Sequence, residues 1–167
     1  MTLLRHNAIP GSSWLHRNVS GIVGRCRLGE ARFVVFSKIL YVFPGQGSQY
    51  RGMGSDLVEA FPAVRDLYSR ASAVVGYDML ELAFEDPRGE LNKTRFTQPA
   101  LLTHEIACLE AFQGLVGDQV RPAVAAGHSL GEYTALVNAR ALTFEAALKL
   151  VQRRGELMSE LGRGGML

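Results

Sequence analysis

One pentapeptide of the sequence has the spacing of a serine nucleophile. Residues 127–131, Gly-His-Ser-Leu-Gly, fit the pattern G-x-S-x-G, in which a serine lies on a sharp turn between a strand and a helix. Such a turn exposes the hydroxyl of Ser129, and the flanking glycines let the strand and the helix approach closely. The backbone N–H of Leu130 would lie at the unpaired start of the helix, where it can stabilise an oxyanion. The pentapeptide therefore predicts acyl chemistry at Ser129, with a chance match in a glycine-rich turn as the alternative.

A second glycine-containing loop, residues 44–49 (Pro-Gly-Gln-Gly-Ser-Gln), follows an apolar run. A dinucleotide-binding loop of the form G-x-G-x-x-G would need glycine at Tyr50, and a Walker loop would need Gly-Lys followed by Ser or Thr. Neither pattern is met, so the loop does not predict a nucleotide site. Two interpretations remain: the loop supplies Gln46 as a second oxyanion donor, or it is only a turn.

Two adjacent arginines and one histidine are further candidates for the same chemistry. Arg153 and Arg154 lie on a predicted helix, where either one could bind a carboxylate through two parallel hydrogen bonds or could be solvated at the surface. His128 directly precedes Ser129. A side chain in that position on a tight turn cannot direct its imidazole at the hydroxyl of its neighbour, so we do not expect His128 to be the base.

The cysteines and the other histidines do not have the spacing of a metal site. Cys26 and Cys108 are far apart, and the four histidines are not clustered with them, so no metal is predicted. His104 and Cys108 are four residues apart and should share a helical face. We expect a half-buried histidine there rather than a catalytic cysteine–histidine pair. The absence of a disulfide framework favours a reducing, cytoplasmic compartment.

Strand and helix patterns alternate around these residues. Residues 39–43 predict a buried parallel strand, and residues 123–126 predict a second strand before the serine turn. The first predicted helix covers residues 53–75, with a break at Pro62 and a stop at Gly76. Further helices are predicted over residues 78–84 and 98–116 and from the serine turn to about residue 138. A last helix runs from the cap Thr143 to about residue 161. This alternation indicates an α/β layered fold around a parallel sheet.

The first 38 residues differ from the rest of the chain. They contain six basic residues and one acidic residue, whereas the remainder contains 12 basic and 15 acidic residues. Because they lack sustained periodicity, we expect residues 1–38 to be a basic arm outside the core, with residues 33–36 as a possible short strand and organelle import as an alternative role. Nucleic-acid binding would need a basic surface on the folded part, and no apolar run approaches the roughly 20 residues of a membrane helix. Neither partner is predicted.

Four motifs within residues 39–167 read, in chain order, FPGQGSQ, LNKTRFTQPALL, GHSLGEYTAL and KLVQRRGELM. Together they resemble the malonyl-CoA:acyl carrier protein transacylase family of fatty-acid and polyketide synthesis. The resemblance implies a parallel-sheet, α/β-hydrolase-like acyltransferase core. It implies malonyl transfer from coenzyme A to the phosphopantetheine thiol of an acyl carrier protein, with malonyl-CoA as substrate and no bound cofactor. A serine hydrolase or thioesterase, or an inactive fragment, is the alternative.

The resemblance also implies roles for single residues. Ser129 corresponds to the acylated nucleophile, and Gln46 and the N–H of Leu130 correspond to the oxyanion site. In the family the base is a histidine downstream of the arginine helix, so the resemblance places it beyond Leu167. We therefore expect residues 39–167 to be the N-terminal part of the acyltransferase domain, ending before a small ferredoxin-like subdomain.

The same resemblance separates the two arginines. Arg154 corresponds to the arginine that binds the malonyl carboxylate, which leaves Arg153 on the surface. Gln98 and His128 correspond to positions beside the site. Arg154 would distinguish malonyl transfer from hydrolysis of simple esters, because simple esters have no carboxylate for it to bind.

Overall fold

The computed structural model describes residues 25–28, 31–34, 39–117 and 120–161 of the 167-residue chain. The chain divides into two compact units, residues 1–39 and residues 40–167. In the first unit, β1 (Arg25–Leu28) and β2 (Ala31–Val34) form an antiparallel pair. β2 overlaps the apolar residues 33–36, whose strand-forming side chains indicate it even without a sustained pattern. That residues 1–38 lie outside the core stays a prediction.

The second unit alternates strands and helices. Its elements are, in chain order, β3 (Leu40–Phe43), α1 (Ser55–Ala60), α2 (Pro62–Val75), α3 (Met79–Phe84), α4 (Thr94–Val116), β4 (Val124–Gly127), α5 (Gly131–Asn138) and α6 (Phe144–Leu161). β3 and β4 pair in parallel, with Leu40 opposite Val124 and Phe43 opposite Gly127. The predicted α/β architecture with a parallel sheet is confirmed. Among the helices described, none combines the length and the apolar character needed to cross a membrane.

The predicted helix limits are confirmed where a cap or a turn residue fixes them. Pro62 occupies the first turn of α2, where its missing N–H has no helical partner to lose. Gly76 ends α2 in the left-handed conformation, with a φ of 82°. Before α6, the hydroxyl of Thr143 accepts a hydrogen bond from the backbone N–H of Ala146 at 3.2 Å. Local signals thus set the ends of these two helices.

The predicted start of the long helix is wrong. α4 begins at Thr94 rather than at Gln98, so Pro99 lies inside the helix instead of at its first turn. An internal proline removes one backbone hydrogen bond and crowds the preceding turn. Here the residues around it are buried against the rest of the unit, including Phe96 and Thr97. Tertiary packing therefore outweighs the local signal of the proline.

The hydrophobic core lies between α4 and its neighbours α2 and α6. Fully buried side chains of these three helices form its centre: Val64, Leu67 and Tyr68 from α2, Leu101 and Leu102 from α4, and Leu148 and Val151 from α6. The sheet contacts α4 through Tyr41, whose ring meets that of Phe112 edge to face, with centroids 6.0 Å apart. Leu40 and Val42 alternate with Tyr41 and Phe43 along β3 and therefore lie on the opposite face of the sheet, where they are 54% and 67% exposed. The described helices thus cover one face of the sheet.

Gly131 begins α5 at the point where this helix touches β3. A Cβ at Gly131 would overlap the backbone carbonyl groups of Phe43 and Pro44, which cannot rotate away as a side chain could. We expect Gly131→Ala to lower the free energy of unfolding by roughly 1–3 kcal/mol or more, measured by urea denaturation of the purified chain. Gly114→Ala is the control, since a Cβ on this residue of α4 meets open space and should stabilise the helix by about 1 kcal/mol. An equal decrease in the free energy of unfolding of the two variants would contradict this prediction.

Candidate active site

The loops that follow β3 and β4 lie side by side. The register pairs Phe43 with Gly127, so both strands end at the same edge of the sheet. The pairing extends by one residue, because the N–H of His128 donates to the carbonyl of Phe43 at 3.0 Å. A Cβ on Gly45 would lie 2.7 Å from the carbonyl oxygen of His128. The two loops singled out from the sequence therefore meet at the carboxyl ends of parallel strands, where α/β proteins commonly bind ligands.

Ser129 lies on a strained turn between β4 and α5. Its φ is 55°, in the left-handed region. This conformation costs a residue with a Cβ on the order of 1–2 kcal/mol and persists only where the surrounding structure fixes it. β4 ends at Gly127 and α5 begins at Gly131, so the predicted strand–turn–helix geometry of the pentapeptide is confirmed.

Arg154 reaches this serine from α6. Its Nη2 donates to Ser129 Oγ at 2.8 Å, and its Nη1 donates to Gln98 Oε1 at 2.8 Å. Gln98 is fully buried on α4, and its Nε2 donates to the sulfur of Met158 at 3.2 Å. The guanidinium is half-buried and is held between the amide oxygen and the hydroxyl. The structure thus brings together Ser129, Arg154 and Gln98 from three elements.

The neighbours of these residues in sequence have other partners. The guanidinium of Arg153 lies 3.1 Å from a carboxylate oxygen of Glu156, and its side chain is 61% exposed. His128 is exposed, and its carbonyl accepts a hydrogen bond from the N–H of Gly131 at 3.0 Å. No hydrogen bond within residues 39–117 and 120–161 joins the imidazole of His128 to the hydroxyl of Ser129. These placements agree with the expectations for both residues.

Leu130 and Gln46 lie on the two loops that meet at this edge of the sheet. Leu130 is fully buried and immediately precedes α5. The side-chain amide of Gln46 donates to the hydroxyl of Thr94 at 3.1 Å. In the part of the chain that the structure describes, no hydrogen bond uses the backbone N–H of either Leu130 or Gln46. The two backbone groups are therefore available as donors, whereas the Gln46 side chain is engaged.

Sequence reasoning missed the residues that hold the Gln46 loop. Thr94 and Asn92 lie at the start of α4, next to the loop. Gln49 Nε2 donates to Asn92 Oδ1 at 2.9 Å, and Gln49 Oε1 accepts from the N–H of Gly47 at 2.8 Å. The available signal was the polar stretch that leads into an otherwise buried helix.

Sequence reasoning also missed a buried carboxyl behind the serine turn. Glu105 of α4 is 5% exposed, and the hydroxyl of Thr134 on α5, itself fully buried, donates to its Oε2. Its Oε1 has no hydrogen-bond partner among the described residues. Burial raises the pKa of the Glu105 carboxyl to about 7, although the Thr134 hydrogen bond lowers it in part. The signal was one acidic residue placed four residues after Leu101 and four before Leu109, on the face that α4 buries.

Stability should fall as the pH rises from about 4.5 to about 7. The Glu105 carboxyl has its ordinary pKa of 4.5 in the unfolded chain and a pKa of about 7 in the folded one. Between these values the folded protein binds more protons, so the free energy of unfolding decreases with pH, by on the order of 3 kcal/mol in all. Urea denaturation of wild type and Glu105→Gln across this range measures the effect, because glutamine does not titrate. Parallel pH profiles for the two proteins would rule it out.

His104 and Cys108 lie on one face of α4, as predicted. The imidazole Nε2 is 3.6 Å from the Cys108 sulfur. The ring is half-buried, and its Nδ1 has no hydrogen-bond partner in the described part of the chain. Burial lowers the pKa of His104, which favours the neutral imidazole. Neither side chain is hydrogen-bonded to Ser129, and the described residues contain no cluster of three or more His, Cys, Asp or Glu that could hold a metal ion.

Comparison with protein families gives one match that covers most of the chain. Residues 40–167 match the family model described as the acyl transferase domain. The polyketide biosynthesis malonyl CoA-acyl carrier protein transacylase PksC of Bacillus subtilis (strain 168) is 48% identical over 128 residues, which cover 77% of this chain and 43% of that protein. The malonyl CoA-acyl carrier protein transacylase of Escherichia coli (strain K12) is 46% identical over 133 residues, 78% of this chain and 42% of that protein. The chain thus spans about two fifths of the length of these relatives.

A solved structure extends the similarity to three dimensions. It contains a type II polyketide synthase acyl-carrier protein in complex with its malonyl-transacylase. The match has 48% sequence identity and a TM-score of 0.69, and it covers 74% of this chain and 40% of that chain. The mixed α/β core with its parallel sheet is therefore an acyltransferase core.

Proposed function

Because this chain belongs to the acyl transferase domain family, we propose that it carries the nucleophile of an enzyme that moves malonyl from coenzyme A to an acyl carrier protein. One observation carries the proposal: the guanidinium of Arg154 is hydrogen-bonded to the hydroxyl of Ser129. A fixed cation beside a nucleophile suits an acyl donor that has a free carboxylate. The matched relatives are malonyl CoA-acyl carrier protein transacylases. The pathway is fatty-acid or polyketide synthesis, and we place it in the cytoplasm.

The reaction would proceed through an acyl-serine intermediate. Ser129 Oγ attacks the thioester carbonyl carbon of malonyl-CoA, a base takes the hydroxyl proton, and the C–S bond breaks. The coenzyme A thiolate leaves and takes up a proton. The thiol of the carrier protein's phosphopantetheine then attacks the ester, loses its proton, and returns the hydroxyl to Ser129. This exchange of a thioester for an ester and back requires no oxidant, metal or bound cofactor.

Two backbone donors would stabilise the tetrahedral intermediate. The N–H groups of Leu130 and Gln46 have no partner among the described residues and belong to the two loops that meet at the sheet edge. Thr94, which holds the Gln46 side chain at 3.1 Å, would fix the position of the second donor. Removing one such donor typically lowers turnover by about 10²–10³-fold.

The proton of Ser129 requires a base from elsewhere in the fold. Among the described residues, no imidazole or carboxylate is hydrogen-bonded to its hydroxyl. The matched relatives extend well beyond the shared region, which is 42–43% of their length. We place the base, a histidine, in that remainder.

Transfer and hydrolysis can be distinguished in a completed protein, in which residues 1–167 are followed by the remainder of the Escherichia coli relative. With malonyl-CoA and an acyl carrier protein, malonyl should appear on the carrier protein faster than free malonate is released. Intact-mass spectrometry of the carrier protein and a free-thiol assay measure the two rates. The chain of residues 1–167 alone serves as the control and should transfer little malonyl. Release of malonate without transfer would favour the hydrolase alternative.

The basic arm can be tested in the same completed protein. We propose that residues 1–38 lie outside the catalytic core, because their charge and lack of periodicity differ from those of the rest. A version that begins at Lys38 should keep the melting temperature and the transfer rate of the longer protein. Differential scanning fluorimetry and the transfer assay check this. A melting temperature lower by many degrees would show that the arm packs on the core.

A further inference from the structure

We propose that Glu105 is a positioning residue for the nucleophile turn: its carboxyl holds Thr134 and thereby fixes the start of α5. The inference rests on the proposed function, because it concerns how Ser129 is presented to the acyl donor. Neither Glu105 nor Thr134 touches Ser129 in the hydrogen-bond network of the described residues. Their effect on the reaction would therefore be transmitted by the helix.

The position of Thr134 on α5 makes this transmission direct. Thr134 lies four residues after Leu130, so the two residues lie on the same side of the helical turn. Both are fully buried. Because a helical turn is rigid, a fixed Thr134 sets the rotation of α5 about its axis. That rotation sets the direction of the Leu130 N–H and the strained backbone of Ser129.

The side chains of Tyr133 and Val137 pack this helix against the core, but apolar packing is not directional, so a hydrogen bond adds a restraint on its rotation. α5 has 8 residues, which is shorter than the length at which an isolated helix is stable in water. On the sheet side, Gly131 contacts the backbone of Phe43 and Pro44. On the α4 side, the Glu105–Thr134 hydrogen bond gives a directional contact. Two opposed restraints of this kind explain how a φ of 55° at Ser129 persists.

The surroundings of Glu105 favour a positioning role over an ionic one. The carboxyl lines a cavity of about 510 Å³ between β3 and α4, whose walls are largely apolar. The titratable groups that face it are His104 and Cys108 from its own helix and Tyr41 from β3, with the Thr134 hydroxyl from α5. No described ion pair includes Glu105. Leucine would fill this space without the desolvation penalty of a carboxyl, so the hydrogen bond is the property that Glu105 adds.

The anchor does not depend on the charge of the carboxyl. The Thr134 hydroxyl can donate to a carboxylate, and it can donate to or accept from a carboxylic acid. A glutamine at position 105 offers the same donor and acceptor geometry. Glu105→Gln should therefore preserve the anchor, whereas Glu105→Leu and Thr134→Val should remove it.

Hydrogen exchange on the full chain, residues 1–167, tests the anchor without any activity. In Glu105→Leu and in Thr134→Val, the amides of Gly131–Asn138 should exchange about tenfold faster than in wild type, while those of Pro62–Val75 are unchanged. Glu105→Gln should match wild type. Glu110→Gln is the matched control, because Glu110 lies on the same helix and its side chain makes no hydrogen bond to the residues that the structure describes. Unchanged exchange in α5, or an equal increase in α2 and α5, would overturn the proposal.

Kinetics of the completed protein separate this proposal from the proposed function. Glu105→Leu should lower kcat for malonyl transfer about tenfold with KM unchanged. Glu105→Gln should keep the kcat of wild type. A wild type that places no malonyl on Ser129, together with faster exchange in α5 of Glu105→Leu, would reject the proposed function and keep the anchor. If kcat of Glu105→Gln is as low as that of Glu105→Leu, the positioning role is overturned.

Discussion

Ser129→Ala in the completed protein should take up no malonyl label and should transfer malonyl at least about 10⁴-fold more slowly than wild type. The hydroxyl lies on the strained turn at the carboxyl ends of both strands, with a guanidinium 2.8 Å away. Alanine removes the attacking oxygen and leaves the backbone donors in place, so any residual rate would come from binding and oxyanion stabilisation alone. Intact-mass spectrometry after incubation with malonyl-CoA measures the label, and peptide mapping locates it.

Ser159→Ala is the matched control for this loss. Ser159 lies on α6, five residues after Arg154. Its hydroxyl donates to the carbonyl of Gly155 at 2.8 Å. This variant should be labelled like wild type. A stable malonyl adduct on Ser129→Ala would show that another residue is the nucleophile and that the acyl-serine mechanism is wrong.

Arg154→Ala should change the choice of acyl donor. When the partner of a bound carboxylate is removed from a half-buried site, the carboxylate-bearing donor loses roughly 2–5 kcal/mol of stabilisation. This loss corresponds to a decrease of about 30-fold to several-thousand-fold in kcat/KM. That penalty applies to malonyl-CoA and not to acetyl-CoA, which has no free carboxylate. Malonyl transfer should therefore fall steeply, while acetyl transfer is unchanged or rises. Parallel kinetics with both thioesters on the completed protein measure the ratio.

Arg153→Ala is the control for charge and for position. Arg153 is the adjacent residue of α6, carries the same charge, and is paired with Glu156 at the surface. It should leave the ratio of malonyl to acetyl transfer unchanged. A change in selectivity caused by Arg153→Ala and not by Arg154→Ala would reverse the assignment of the two arginines. If neither variant changes the ratio, a hydrolase acting on plain acyl groups becomes the better account.

Local sequence signals were sufficient for much of this fold. Pro62, Gly76 and Thr143 mark helix ends through properties of a single residue, and the structure has the ends where those residues predict them. The serine turn was equally predictable, because only glycine at position 131 tolerates the contact with β3. The start of α4 was not, since Pro99 gives a strong local signal that the burial of the surrounding turn outweighs.

The partners of the site residues lay beyond local signals. The hydrogen bond of Gln46 to Thr94 joins residues 48 apart, and that of Arg154 to Gln98 joins residues 56 apart. No periodicity specifies such pairs, because they depend on how α4 passes both the loop after β3 and the helix α6. Glu105 shows the same limit: sequence reasoning missed its burial, and the identity of its partner required the fold.

The hydrogen bond between Arg154 and Ser129 has a consequence for the order of events in the proposed reaction. The guanidinium donates a hydrogen bond to the very oxygen that must attack. An acyl donor with a free carboxylate would draw that guanidinium onto its own carboxylate and so release the oxygen, whereas a plain acyl thioester has no group that could do so. Binding of the carboxylate-bearing donor would then free the nucleophile, and acylation by plain acyl thioesters would be suppressed at the first step.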